Sequence, residues 1–147
     1  MVLEPLEGFE RVGDLVVDMG PLYEEIPAGL SYHRESEWNS GASVPEGLAR
    51  YERFENCIEC GACLSACPVS RGRDAFVGPA ALAAISREIE KGTRWAADLL
   101  DLAGSDRGVL RCERAMACSR VCPVEVYPAR HIHELGIKLK RKDEKSS

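Results

Sequence analysis

The spacing of the cysteines constrains this chain more than any other feature. Its 147 residues include seven cysteines, and all of them fall in two runs. The runs are Cys57-x2-Cys60-x2-Cys63-x3-Cys67-Pro68 and Cys112-x5-Cys118-x3-Cys122-Pro123. The second run repeats the first with one cysteine missing, because Ala115 stands where the second thiol of the run belongs.

The spacing within each run predicts iron-sulfur clusters. Cys-x2-Cys-x2-Cys loops direct three thiolates to one cluster, and in two-cluster ferredoxins the fourth cysteine of the run ligates the other cluster. We therefore expect a 4Fe-4S cluster held by Cys57, Cys60, Cys63 and Cys122. Three thiolates remain for the second site, from Cys67, Cys112 and Cys118. A site with three thiolates and no donor at Ala115 predicts a 3Fe-4S cluster.

Other uses of the cysteines fit their pattern less well. Zinc accepts cysteine quartets, and disulfides form in oxidising compartments, but the repeated Cys-Pro signature favours iron-sulfur clusters. Met1 opens no charged-then-apolar signal, so metal ligation in a reducing compartment is expected. An exogenous ligand, or Glu113, could still complete a second 4Fe-4S cluster. The type of cluster at the second site therefore stays open.

Composition narrows the class of partner. The formal net charge is −5, which argues against nucleic acid. No stretch approaches 18 consecutive apolar residues, so we expect a soluble chain. Two inorganic clusters would crosslink helices and extend a modest core.

The periodicity of the apolar residues predicts helices and almost no strand, so the expected fold class is all-α, a helical two-cluster ferredoxin domain. One helix is expected over Val12–Ile26, with a break or kink at Gly20-Pro21. The capping pattern of Ser43, Pro45 and Glu46 predicts a helix that leads into the first cysteine run.

Glycine and proline delimit the later helices. Gly78-Pro79 opens a helix closed by Gly92, another runs from about Thr93 to Ala103, and Pro128 begins a terminal helix. The expected organisation is an N-terminal helix and irregular surface segment at 1–45, the two-cluster domain at 46–137, and a charged tail at 138–147.

Several polar residues near the runs invite a functional interpretation. His131 and His133 fall on opposite sides of the terminal helix and are expected to be surface residues rather than ligands. Arg111, Arg114 and Arg120 could offset cluster charge, dock a partner carboxylate or form a solvated face.

Four segments, in order, carry a resemblance to a known family. They are DLVVDM at 14–19, CIECGAC at 57–63, FVGPA at 76–80, and Arg111-Cys112 with CSRVCP at 118–123. The chain resembles the C-terminal half of the iron-sulfur subunit of succinate dehydrogenase and fumarate reductase. The resemblance implies a helical domain that holds a 4Fe-4S and a 3Fe-4S cluster with the crossed ligands given above.

The resemblance also implies a function. The chain would be an electron-transfer subunit of an oxidoreductase, with no catalytic residue of its own, relaying electrons between a flavoprotein that interconverts succinate and fumarate and a quinone. The implied partners are the flavoprotein subunit, a 2Fe-2S ferredoxin-like domain or chain, and a membrane-anchor subunit. The implied location is the cytoplasm, peripherally on the inner face of the cell membrane.

Two departures from the family leave alternatives open. Family members carry an N-terminal 2Fe-2S domain, and this chain begins where that domain would end. A separate polypeptide, a truncated product and a rewired relay all stay possible. Members that use ubiquinone often place tryptophan after the first Cys-Pro and histidine after the first cysteine of the second run, where this chain has Val69 and Glu113. Menaquinone or a protein acceptor is therefore open.

Two further classes of function fit the cysteine pattern less well. A heterodisulfide-reductase-like or ferredoxin-type carrier would link soluble redox partners, but such proteins usually have two complete four-cysteine runs. A metal-stabilised assembly protein would need fewer well-spaced thiolates.

Helix turns around Ala62 and Ala117, with Ser65 and Ser119, are the expected hydrogen-bond donors to the clusters.

Overall fold

The computed structural model describes residues 2–23, 57–71 and 76–146. In chain order its elements are β1 (Arg11–Gly13), β2 (Val16–Val17), α1 (Gly20–Tyr23), α2 (Ala62–Ser65), α3 (Pro68–Arg71), α4 (Pro79–Glu90), α5 (Ala96–Gly104), a 3-10 turn (Val109–Arg111), α6 (Ala117–Arg120) and α7 (Pro128–Ser146). The fold is mainly helical, as expected, but it also contains a small sheet. The helix predicted after Ser43–Glu46 lies outside the described residues.

Helix α4 is the centre of the core. Every residue from Pro79 to Glu88 is buried. Pro79 stands at the first position of the helix, where its fixed φ suits the first turn and its missing N–H leaves no donor unpaired. Gly78 precedes it with φ 91°, and a Cβ there would lie 3.0 Å from Leu64 Cδ1. The predicted start of this helix is confirmed, and glycine is needed to make the turn.

The two sides of α4 pack against different parts of the molecule. One side joins α5 and α7 in the main core, which consists of Phe76, Val77, Ala81, Leu82, Ile85, Leu99, Ala103, Ile132 and Leu135. The other side presents Ala83 and Ala84 to Val126, with Cys57 and Cys122 packed around them. Cys67 and Cys112 pack against the main core instead. Helix α4 therefore contacts cysteines from both runs on its two sides.

The last helix includes the charged segment. The segment 138–147, expected to be a charged tail, is helical in α7 through Ser146. Lys138 pairs with Glu90 of α4, and Lys142 pairs with Asp101 of α5. These ion pairs join the charged turns of α7 to the core helices, which local sequence could not reveal.

The N-terminal segment is a hairpin, so the prediction of a helix over Val12–Val17 was wrong. Strands β1 and β2 are antiparallel, with Arg11 opposite Val17 and Gly13 opposite Val16. The chain reverses at Asp14, whose φ is 42°. Glycine and aspartate favour such turns, and this turn chemistry outweighed the apolar spacing.

Helix α1 begins at the dipeptide that was expected to break a helix. Gly20 is its first residue, and the Gly20 N–H donates to Asp18 Oδ1 at 2.9 Å. The aspartate accepts a hydrogen bond from the start of the helix, and Pro21 then occupies a position where no N–H is required. The remainder of the predicted helix, residues 24–26, lies outside the described residues.

Candidate metal centre

The two cysteine runs form the same backbone turn. In each run, two residues with left-handed φ enclose one central residue, and a one-turn helix follows. The left-handed residues are Glu59 (52°) and Gly61 (71°) in the first run, and Arg114 (58°) and Met116 (59°) in the second. Helix α2 follows the first turn and α6 follows the second. Cys60 and Ala115 are the central residues, so they hold equivalent backbone positions.

Four thiols line one cavity. They belong to Cys57, Cys60, Cys63 and Cys122. Most of the other lining residues are apolar, including Leu22, Ala80, Ala83 and Val126. Cys122 comes from the second run, yet its thiolate charge acts on Cys57. These are the four residues predicted to hold the first cluster.

The other three thiols line a second cavity, of about 770 Å³. They belong to Cys67, Cys112 and Cys118, and the cavity extends between α5 and α7. Cys118 is buried, and the charges of Cys67 and Cys112 both act on it. Cys67 comes from the first run, so each cavity receives one cysteine from the opposite run.

The two thiol sets are adjacent. Helix α2 packs against α6, and Cys118 lies close enough to add, when ionised, to the rise that burial causes in the pKa of Cys63. Cys63 in α2 and Cys118 in α6 are therefore the cysteines at which the two sets adjoin. This adjacency would place two cofactors close together.

Burial keeps several of the bare thiols protonated. It raises the pKa of Cys63 to about 12, and the charges of Cys57, Cys118 and Cys60 add to the effect. Burial also raises the pKa of Cys57 and of Cys118. Thiolates are the form that binds metal, so loading these sites with iron would release protons.

Hydrogen bonds to sulfur lie around both cavities. The backbone N–H of Val126 donates to Cys122 Sγ at 3.3 Å. The hydroxyl and backbone N–H of Ser119 both lower the pKa of Cys118, and the Leu64 N–H does the same for Cys63. Ser119 was one of the expected donors, whereas Val126 was not foreseen because it lies beyond the cysteine motif. Such donors tune the potential of a bound cluster.

In the second turn, the residue equivalent to Cys60 has no side chain that could bind a metal. Ala115 is exposed and lines the larger cavity, as does Glu113. Arg120 Nη2 donates to the Ala115 carbonyl at 2.9 Å, which fixes the turn from the following helix. Arg111 and Arg114 are also exposed near this turn.

The two histidines of α7 differ in burial. His133 is exposed, as expected, but His131 is only 7% exposed, so its placement at the surface was wrong. Burial lowers the pKa of His131, while the nearby Glu134 carboxylate opposes the shift. The side of α7 that meets the core therefore includes one histidine.

The arrangement of the thiols fits polynuclear clusters. No three His, Cys, Asp or Glu side chains among the described residues converge as a single metal ion requires. Instead, four thiols and three thiols surround two cavities of largely apolar lining, with N–H donors beside them. A small helical domain of this kind has the architecture of a two-cluster iron-sulfur protein.

Comparison with known proteins agrees with this class. Residues 53–126 match the family described as the 4Fe-4S dicluster domain. The chain therefore belongs to that family and is an iron-sulfur protein with 4Fe-4S chemistry.

Several similar proteins are iron-sulfur subunits of fumarate reductase or succinate dehydrogenase. The chain is 33% identical over 139 residues to the fumarate reductase iron-sulfur subunit of Escherichia coli, covering 91% of this chain and 57% of that protein. It is 34% identical over 133 residues to the same subunit of Mycobacterium tuberculosis, covering 86% and 54%. It is 30% identical over 154 residues to the succinate dehydrogenase iron-sulfur subunit of Coxiella burnetii, covering 98% and 63%. The chain thus spans little more than half the length of these relatives.

Proposed function

We propose that this chain is an electron-transfer subunit of a complex of the succinate dehydrogenase and fumarate reductase type. The observation that carries the proposal is the crossed division of the thiols. Cys122 lines a cavity with three cysteines of the first run, and Cys67 lines the other cavity with Cys112 and Cys118. The similarity to iron-sulfur subunits of those two enzymes supports the same function.

The first cavity is proposed to hold a 4Fe-4S cluster. Its ligands would be Cys57, Cys60, Cys63 and Cys122. The match to a 4Fe-4S dicluster domain supports this cofactor. Ala80 and Ala83 contribute only methyl groups to the lining, so the core helix can approach the cluster closely.

The second cavity is proposed to hold a 3Fe-4S cluster on Cys67, Cys112 and Cys118. Support comes from the backbone equivalence of Ala115 and Cys60, since the turn places a methyl group where the first turn places a thiol. Glu113 is exposed and lines the same cavity, so its carboxylate is the competing donor for a second cubane.

The chain would serve as the scaffold of an electron relay. When bound, the clusters supply one-electron carriers whose potentials depend on cluster type, hydrogen bonds and exposure. The packing of α2 on α6 sets the cysteines of the two sites side by side. Val126 and Ser119 donate hydrogen bonds to ligand sulfurs.

The partners belong to the same proposal. They are a flavoprotein subunit, a 2Fe-2S domain or chain, and a membrane-anchor subunit that binds quinone, with the complex on the inner face of the cell membrane. The descriptions of the relatives as subunits support an assembly of several chains. In the described residues, none of the helices has the length and apolar character needed to cross a membrane.

Anaerobic EPR of the purified chain, with iron and sulfide counts, tests the cofactors. We expect a 3Fe-4S signal in the oxidised protein and a reducible 4Fe-4S cluster beside it. Two cubanes would contradict the second assignment, and zinc without sulfide would contradict both. Co-purification with a flavoprotein would separate a subunit of a dicarboxylate enzyme from a ferredoxin-type carrier between soluble partners.

A further inference from the structure

The N-terminal hairpin exposes a group of apolar side chains. Val12 is 70% exposed, Leu15 45% and Val16 62%, and Ile58 in the first cysteine turn is 61% exposed. Isolated apolar residues are common at protein surfaces, but a group rimmed by charges marks an interaction site. We call Val12, Leu15, Val16 and Ile58 the hairpin patch.

The hairpin is attached to the first cysteine turn. A Cβ placed on Gly61 would lie 2.9 Å from Met19 Cε, 3.2 Å from Phe9 Cζ and 3.4 Å from Leu6 Cδ1. The segment therefore packs on the turn through these three side chains, while the hairpin patch stays exposed. A side chain at Gly61 would require the end of Met19 to shift, and the φ of 71° would be strained in any other residue.

The same turn carries the most accessible ligand. Of the seven cysteines, Cys60 is the one that is exposed. Ile58, two residues earlier, is exposed, and Gly61, the next residue, lies against Met19 and Phe9 of the N-terminal segment. The first cluster would therefore come closest to the surface beside the hairpin patch.

The segment that carries the hairpin patch is acidic. Within residues 2–23 the charged side chains are five carboxylates, Glu4, Glu7, Glu10, Asp14 and Asp18, and the guanidinium of Arg11. Glu59 adds a carboxylate in the cysteine turn itself. The equivalent turn of the second run has Arg114 at the position of Glu59, with Arg111 and Arg120 nearby. Three arginines and one exposed carboxylate, Glu113, therefore lie at the second turn, which is net basic.

We propose that the hairpin patch and Cys60 form the docking surface of a one-electron redox protein whose own docking face is apolar at the centre and basic at the rim. This inference rests on the proposed function, because it assumes a cluster on Cys60. An apolar centre with a charged rim is the general form of transient interfaces, and complementary charge accelerates association. The basic second turn would repel the same partner.

Cytochrome c is a suitable probe, since lysines ring its exposed haem edge. Oxidised cytochrome c is mixed with the anaerobically reduced holoprotein, and its reduction is followed by stopped-flow absorbance. We expect the Glu4→Gln, Glu10→Gln, Asp14→Asn triple variant to lower the second-order rate constant roughly tenfold at low ionic strength. The difference should disappear at about 1 M salt, where the screening length is about 3 Å.

A matched triple variant removes the same charge elsewhere. Asp98→Asn, Asp106→Asn and Glu144→Gln change three exposed carboxylates outside the hairpin. This variant should stay within about twofold of wild type, because the distant charges contribute little to steering. An equal loss in both triple variants would show an effect of net charge alone and would overturn the docking surface.

The apolar centre has its own test. Val12→Thr with Val16→Thr keeps the branched shape that suits a strand and adds only hydroxyls. We expect slower electron transfer with an unchanged salt dependence. An unchanged rate would contradict an apolar centre at these residues.

Hydrogen exchange locates the contact independently of activity. Oxidised cytochrome c should protect peptides within 2–20 and 57–61 of the holoprotein. Protection within 110–121 instead would overturn the inference while leaving the two-cluster carrier intact. Absence of clusters from the purified chain would instead contradict the proposed function itself, so the two failures are distinguishable by EPR.

Discussion

Ala115 holds in the second cysteine turn the backbone position that Cys60 holds in the first. Each lies between two residues of left-handed φ and just before a one-turn helix. The difference between the turns at this position is therefore a side chain rather than a change of fold. A single substitution can test whether the absent thiol decides the cluster type.

Ala115→Cys should convert the second site to a 4Fe-4S cluster. The new thiol would start from the same turn geometry that positions Cys60, so the fourth iron would gain a protein ligand. We expect the oxidised 3Fe-4S EPR signal to disappear, a second reducible cubane to appear, and the iron content to rise by one per chain.

Ala115→Val is the control for this change. It adds apolar volume at an exposed position but no donor. The 3Fe-4S signal should persist in this variant. If Ala115→Cys also retained that signal, the equivalence of the two turns would not extend to ligation.

Two substitutions test the crossed ligation, Cys122→Ala and Cys67→Ala. Each should affect the cluster whose other ligands come from the other cysteine run. Cys122 lines the cavity of the first run and Cys67 lines the cavity of the second. We expect Cys122→Ala to remove or convert the 4Fe-4S cluster and to spare the 3Fe-4S signal, and Cys67→Ala to do the reverse. The opposite result would indicate that each run ligates its own cluster.

Local signals in the sequence were sufficient for the core helices. Gly78-Pro79, Gly104 and Pro128 mark helix ends, and α4, α5 and α7 begin or end at these residues. Proline and glycine act through the backbone of their own turn, so their effect can be predicted without knowledge of the tertiary structure. The prediction of the two cysteine sets used their spacing together with the ligand crossing of two-cluster ferredoxins.

Features that depend on tertiary packing were not accessible in the same way. Val12 and Val16 have helical spacing, yet they lie in a hairpin because the chain reverses at Asp14. Opposite faces for His131 and His133 follow from helix geometry, but only the packing of α7 against the core decides which of them is buried. The donation from Val126 to Cys122 Sγ also depends on a loop that no motif describes.

Gly108→Ala should destabilise the chain by about 1–3 kcal/mol, the usual cost of overpacking. A Cβ at this position would lie 2.1 Å from the Ala103 carbonyl oxygen, which is backbone and cannot rotate away. Gly108 also precedes the 3-10 turn that leads to Cys112, so the 3Fe-4S signal should weaken more than the 4Fe-4S signal. The measurements are the thermal midpoint at a fixed scan rate and EPR.

Gly13→Ala provides the matched comparison. A Cβ on Gly13 would meet nothing within 4 Å. The free energy of unfolding of this variant, obtained from its thermal midpoint, should stay within about 0.5 kcal/mol of wild type. A similar loss in both variants would point to a general effect of replacing glycine rather than to the contact with Ala103.

His131→Gln should make stability less sensitive to acid. Burial lowers the pKa of His131 below its usual value of 6.5, with Glu134 opposing and Arg130 reinforcing the shift. Between the folded and the unfolded pKa, this histidine therefore binds a proton in the unfolded chain and not in the folded chain. The contribution of the neutral imidazole is complete above the unfolded pKa and is lost as the pH falls towards the lower folded pKa. The measurement is the thermal midpoint of wild type and variant across this range. If wild type is more stable than His131→Gln at pH 8, the difference between their thermal midpoints should narrow by pH 5.5. A parallel pH dependence in wild type and His131→Gln would show that the buried histidine does not contribute to acid sensitivity.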